Sequence, residues 1–299
     1  MKLQVEIAGK TFKNPVTTAS GTFGSGAEYE AFVDLSALGA VTTKGVANVP
    51  WAGNPTPRLA ETCSGMLNAV VLQNPGIDLF CKRDIPHLKE KGASIIVNVC
   101  GRTVKDYVEV VERLADEPVD LLEINVSCPN VKAGGIAFGQ NPDALYEITQ
   151  EIKKKAVQPV VMKLSPNVTD ITEMAKAAEA AGSDALSLIN TITGMKIDIH
   201  RRRLLLANGT GGLSGPAIHP VAVRMVYQVH KACRLPIIGM GGICSGEDAV
   251  EMMMAGASMV AVGTANFRNP AATMEVLEGI KSYMTRYNIE DIHEIIGCI

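Results

Sequence analysis

A (β/α)8 barrel is the fold class this sequence predicts, and three observations predict it. Eight short apolar, β-rich runs recur along the 299 residues, helix-period segments fill most of the gaps, and polar residues or glycines gather where the runs end. Continuous apolar strands alternating with helices indicate parallel pairing covered on both faces. Eight such units in one chain point to a closed barrel. A doubly wound sheet is the structural alternative; it fits less well, because the first run is not followed by a G-x-G-x-x-G turn. Without Pro/Gly/Ser-rich linkers, low-complexity tracts or fixed-period repeats, residues 1–299 read as one domain.

The elements follow in chain order. "MKLQVEIAGKTFKNP" alternates polar and apolar residues around Gly9 and reads as a hairpin ahead of the barrel. The eight strands are "PVTTAS", "AVTTKG", "SIIVNV", "DLLEINVS", "VVMKLS", "ALSLIN", "PIIGMGG" and "MVAVGT". Between them, "TVKDYVEVVERLADE", "NPDALYEITQEIKKKA", "TDITEMAKAAEAAG", "HPVAVRMVYQVHKAC" and "SGEDAVEMMMAGA" carry the apolar spacing of amphipathic helices. Three long interruptions, residues 46–76, 128–140 and 191–215, follow the second, fourth and sixth strands. In a barrel all three lie on the C-terminal face, as substrate-binding loops and a lid inserted where active sites sit.

Composition removes several function classes. Twenty-eight basic against 31 acidic residues leave a formal charge of -3 with no long run of either sign, which gives no footprint for nucleic acid or a polybasic membrane patch. No apolar run reaches transmembrane length, and the N-terminus lacks the core of a signal peptide, so a cytoplasmic protein is expected. Seven cysteines without a C-x-x-C pair argue against a disulfide framework, a zinc site or an iron–sulfur cluster held by this chain alone. The five histidines have no metal spacing and read as surface or packing residues, so no metal is expected.

Ser20, Lys44, Asn98, Asn125, Lys163 and Asn190 fall at or beside the ends of the first six strands, and the last two end in Gly241, Gly242, Gly263 and Thr264. Asn and Ser commonly terminate strands as turn formers. A lysine behind an apolar run is harder to dismiss, because an unpaired ammonium near a low-dielectric interior is costly. Glycine-rich ends on strands seven and eight, with "GGLSGPA" at 211–217, supply backbone N–H groups for a phosphate. A cation and asparagines beside it suit a flavin ring, while a sugar-phosphate isomerase or aldolase stays open on these residues. Cys128 lies in a loop with Pro129, beyond Asn125, where position favours chemistry over core filling. Cys100, two residues after Asn98, is a candidate for lining the site.

"INVSCPNVKAGGIAFGQNP", "NAVVLQNPG", "VTTKGV", "LANGTGGLSGPAIHPVAVRMV", "GMGGI" and "VGTANF" resemble the catalytic subunit of the NAD-linked, class 1B dihydroorotate dehydrogenases, over nearly the whole chain. The resemblance implies an FMN-containing barrel that oxidises dihydroorotate to orotate in pyrimidine synthesis. It implies Cys128 as the base that takes a proton from carbon 5, while hydride leaves carbon 6 for the flavin. Asn68, Asn125, Asn190 and Thr191, with the segment Ala69, Val70, Val71 and Leu72, would bind substrate, and Lys44 would lie near both substrate and flavin. Ser20, Gly45, Asn98, Asn125, Lys163, Ile189, Gly215, Gly241, Gly242, Gly263 and Thr264 would hold FMN, the last five largely at its phosphate end. FAD and a [2Fe-2S] cluster belong, by the same resemblance, to a partner electron-transfer subunit, in a heterotetramer of two catalytic and two electron-transfer chains. The related dihydropyrimidine dehydrogenase barrel is the alternative within flavin chemistry. Two departures stand out: Val71 where the family usually has glycine, and Cys100 where a small residue such as alanine is usual.

Overall fold

The computed structural model describes residues 1–126 and 138–299. Eight parallel strands form one sheet: β1 (Val16–Thr18), β2 (Val41–Thr42), β3 (Ile95–Val99), β4 (Leu121–Asn125), β5 (Val160–Lys163), β6 (Ala185–Leu188), β7 (Ile237–Met240) and β8 (Met259–Val262). Each lies within one of the eight runs predicted from sequence. Their hydrogen-bonded order is β1-β8-β7-β6-β5-β4-β3-β2. The ring closes between β1 and β2, where a parallel bridge joins Thr17 to Ala40.

Side chains reinforce that closing seam. The Thr17 hydroxyl donates to the Ala40 carbonyl at 2.9 Å and lies 3.0 Å from Thr42 Oγ1. The Thr18 hydroxyl donates to the Thr42 carbonyl and accepts from the Thr42 amide. Gly39 lets the chain pass this close: a Cβ there would come within 2.2 Å of the Asn14 carbonyl oxygen.

The strands are buried along their whole length, as in β5 and β7, except for Asn125 at the end of β4, because helices cover the outside. Helix Val104–Leu114 shows how the sequence sets this up. Tyr107, Val110, Val111 and Leu114 are buried at helical spacing, and Thr103 with Asp106 forms a reciprocal capping box at its start. Helices Pro142–Lys153, Ile171–Ala180, His219–Ala232 and Gly246–Met254 occupy the other predicted segments. Ahead of the barrel, Val5–Ile7 pairs antiparallel with Lys10–Phe12. Ala8 and Gly9, both with positive φ, make its two-residue turn.

The interruptions after β2 and β6 contain more order than loops. Residues Ile192–Met195, Thr210–Ser214, Gly65–Asn68 and Leu59–Thr62 form a four-stranded antiparallel sheet in that order, joining the excursions after β2 and β6. Gly211 and Gly212, read from sequence as part of a phosphate-binding turn, instead lie inside one of its strands. A Cβ on Gly212 would fall 2.0 Å from Thr191 Oγ1. No described helix is long and apolar enough to cross a membrane.

Candidate active site

The C-terminal ends of the barrel strands and the four-stranded sheet enclose a cavity of about 350 Å³. That is enough for a small-molecule or cofactor site. Ser20, Lys44, Gly45, Asn68, Ala69, Val70, Val71, Leu72, Asn98, Asn125, Lys163, Ile189, Asn190, Thr191, Gly215, Gly241, Gly242, Gly263 and Thr264 all line it. Cys128 lies outside the described residues. Cys100 does not line the cavity: it is buried with Ala47 and Leu72, against which Trp51 and Val71 pack.

At one end the polar groups are tied to each other. Asn190 Nδ2 donates to Asn125 Oδ1 at 3.2 Å, and Asn190 Oδ1 accepts from the Thr191 amide at 2.8 Å. Asn68 Nδ2 donates to the Gly212 carbonyl across the sheet at 3.3 Å. Asn167, which sequence reasoning passed over, braces this end: it donates to the Thr191 carbonyl and accepts from the Thr193 amide, both at 2.9 Å. Such asparagines offer donors and acceptors to a planar, polar ligand with both kinds of group.

Deeper in the mouth the two lysines differ. Lys163 is 4% exposed and pairs with Glu123, itself 1% exposed, at 3.2 Å. Asn98 Nδ2 donates to the same carboxylate oxygen at 2.5 Å. Asn98 Oδ1 is buried and has no hydrogen-bond partner among the described residues. A Cβ on Gly45 would lie 2.8 Å from that oxygen, so Gly45 makes room for it. Lys44 is only partly buried and donates to the Val71 carbonyl at 3.2 Å. Val71 holds φ of 62°, a region that β-branched residues rarely enter and glycine enters freely.

At the far end, positive φ at Gly215, Gly241 and Gly242 shapes the wall. A Cβ on Gly242 would stand 2.8 Å from the Gly215 carbonyl oxygen, so these two turns touch. Thr264 donates its hydroxyl to Ser214 Oγ at 2.7 Å, tying the end of β8 to the four-stranded sheet. His219, read from sequence as a surface or packing residue, is 8% exposed. Its Nδ1 donates to the Gly241 carbonyl at 2.8 Å, and its Nε2 lies 3.1 Å from Glu251 Oε2. Its partners sit on the next βα unit, which is why sequence spacing gave no sign of them.

The wall therefore combines a glycine cradle that side chains would fill, a buried cation, and a buried acceptor lacking a partner among the described residues. A ligand with a phosphate at one end and a polar ring at the other satisfies all three. The cavity and its chemistry fit flavin mononucleotide.

Comparison with known proteins supplies the family. A family model described as dihydroorotate dehydrogenase matches residues 2–284. The chain is 67% identical over 299 residues to the dihydroorotate dehydrogenase B (NAD(+)), catalytic subunit, of Lachnoclostridium phytofermentans, covering 100% of both chains. It is 66% identical over 293 residues to the protein of the same name from Alkaliphilus oremlandii, covering 98% of this chain and 97% of the relative. With the Geobacter metallireducens protein of that name it shares 55% identity over 298 residues, 99% of this chain and 98% of the relative.

Proposed function

The chain belongs to the dihydroorotate dehydrogenase family, and from that premise we infer that it oxidises dihydroorotate to orotate in pyrimidine biosynthesis. It works as the catalytic subunit of an NAD-linked enzyme whose electrons leave through a separate subunit. The observation that carries this reading is the 67% identity along the full length of a relative with that name.

Residues 1–299 act as one FMN-binding barrel domain. FMN, when bound, supplies the acceptor for the hydride that leaves carbon 6 of dihydroorotate. The chain's own residues do the rest. Gly215, Gly241, Gly242, Gly263 and Thr264 hold the phosphate end of the cofactor; Ser20, Lys44, Gly45, Asn98, Asn125, Lys163 and Ile189 hold its ring. Asn68, Asn125, Asn190 and Thr191 orient the substrate through its amide and carboxylate edges, with Ala69, Val70, Val71 and Leu72 along its face and Lys44 beside it. The Sγ of Cys128 takes the proton from carbon 5, a position made acidic by the neighbouring carbonyl. A partner subunit would carry FAD and a [2Fe-2S] cluster and supply the route for the electrons to NAD, in a heterotetramer of two chains of each kind, in the cytoplasm.

An absorbance spectrum of the purified chain, taken without oxygen before and after adding dihydroorotate, tests the reading. A flavin band that bleaches on addition is the expected result. A colourless chain that takes up no FMN on reconstitution would sink it.

A further inference from the structure

Glu123 is a buried carboxylate with no part in the proposed proton transfer. It lies on β4, where its Oε1 accepts from both Asn98 Nδ2, at 2.5 Å, and Lys163 Nζ, at 3.2 Å. Both donors belong to residues that line the cavity, whereas Glu123 does not. An ionised carboxylate only accepts, so it dictates which way the Asn98 amide faces: the NH2 turns toward Glu123 and Oδ1 turns away. Oδ1 is left buried without a partner among the described residues. Lys163 is an ammonium with three donors, one of them engaged by Glu123.

A purely structural purpose does not account for this arrangement. Replacing a buried ion pair by packed apolar side chains is often neutral or stabilising, and a buried acceptor without a partner is a cost in the empty protein. Both features become useful when a ligand supplies the missing donor. Without Glu123 the Asn98 amide is free to flip, and its two orientations present opposite patterns to the same point.

We propose that Glu123 is a positioning residue that locks the Asn98 amide with its oxygen turned away from the carboxylate, on the Gly45 side, and anchors the Lys163 ammonium beside it. The cavity then reads a ring edge in which an N–H sits next to a carbonyl. The imide edge of an isoalloxazine has that pattern, so the inference rests on the flavin reading above and deepens it.

The test uses the purified full-length chain, stripped of flavin, with FMN and riboflavin affinities measured by quenching of flavin fluorescence and folding followed by circular dichroism. Glu123→Leu removes the shared acceptor. It is expected to weaken FMN and riboflavin at least tenfold and by the same factor, because the phosphate end is untouched. Glu123→Gln can set its amide oxygen where Oε1 stands and is expected to bind both within threefold of wild type. Wild-type affinity in folded Glu123→Leu, a changed FMN-to-riboflavin ratio, or a tenfold loss in Glu123→Gln overturns the proposal. Should Glu123→Leu fail to fold, Asn98→Ser decides: it removes the amide oxygen, a tenfold loss for both flavins is expected, and unchanged affinity overturns the idea. A wild-type chain that binds neither flavin refutes the flavin reading itself, before any variant is made.

Discussion

Replacing Thr17 by valine tests how the barrel is closed. The change preserves shape and swaps a hydroxyl for a methyl at a position with no exposed surface. It removes the donor to the Ala40 carbonyl at 2.9 Å and the contact with Thr42 Oγ1 at 3.0 Å. A buried polar group that loses its partner costs about 1–3 kcal/mol. The Thr42 hydroxyl can rotate toward another acceptor while the carbonyl cannot, so the two losses together come to about 3–4 kcal/mol. The added methyl returns about 1 kcal/mol. The expected net destabilisation is about 2–3 kcal/mol, read as a shift in urea midpoint at constant slope by circular dichroism. Thr17→Ser keeps the hydroxyl and gives up one methyl, for about 1 kcal/mol. Because Ser20 follows β1 and Lys44 follows β2, Thr17→Val is also expected to weaken flavin binding while Thr17→Ser is not. A Thr17→Val protein within 0.5 kcal/mol of wild type, roughly the noise for surface changes, or a Thr17→Ser protein damaged as much, would refute the role given to the seam.

Cys128→Ser is expected to lower dihydroorotate oxidation at pH 7 by at least about 100-fold, since a hydroxyl is a far weaker base, with FMN still bound; equal turnover removes Cys128 from the mechanism. Gly242→Ala forces a Cβ to 2.8 Å from the Gly215 carbonyl at φ of 72°. It should therefore cut FMN affinity and leave riboflavin affinity near its wild-type value, the opposite signature from Glu123→Leu. Burial, with Glu117 beside Cys81 and Glu179 beside Cys233, pushes both thiols up to about 11. At pH 8 both stay protonated, so iodoacetamide followed by peptide mass mapping should label exposed Cys63 and Cys298 well before either; early labelling of Cys233 would contradict its burial.

The barrel was legible because parallel strands covered on both faces read as unbroken apolar runs, and "VVMK" is buried at every position as its composition implies. The covering helices were legible from period and caps. The four-stranded sheet was not. Its strands are short, half-exposed and glycine-rich, and Asn68 finds its register opposite Gly212, a pairing set by the barrel beneath and not by local propensity. Glu123 carried a signal that went unused: a charge inside "LLEIN" has no place in a buried strand unless something pairs with it. Val71 shows the converse. The sequence marked a departure from glycine there, and the structure supplies its physical content, a positive φ that valine occupies at a cost of about 1–3 kcal/mol.

The two lysines of the mouth look alike in sequence, each closing an apolar run, yet they are held by opposite means. Lys163 is almost completely buried and its charge is met by Glu123, so its position is fixed from inside the barrel. Truncating one partner of such a pair to an apolar side chain strands the other's charge in a low dielectric. Lys44 is half-buried and donates to the carbonyl of Val71, the residue at positive φ in the excursion after β2. Its hydrogen bond therefore joins a barrel strand end to the excursion that lines the cavity. Lys163 is thus locked from inside the barrel, while Lys44 is tied to the excursion over its mouth.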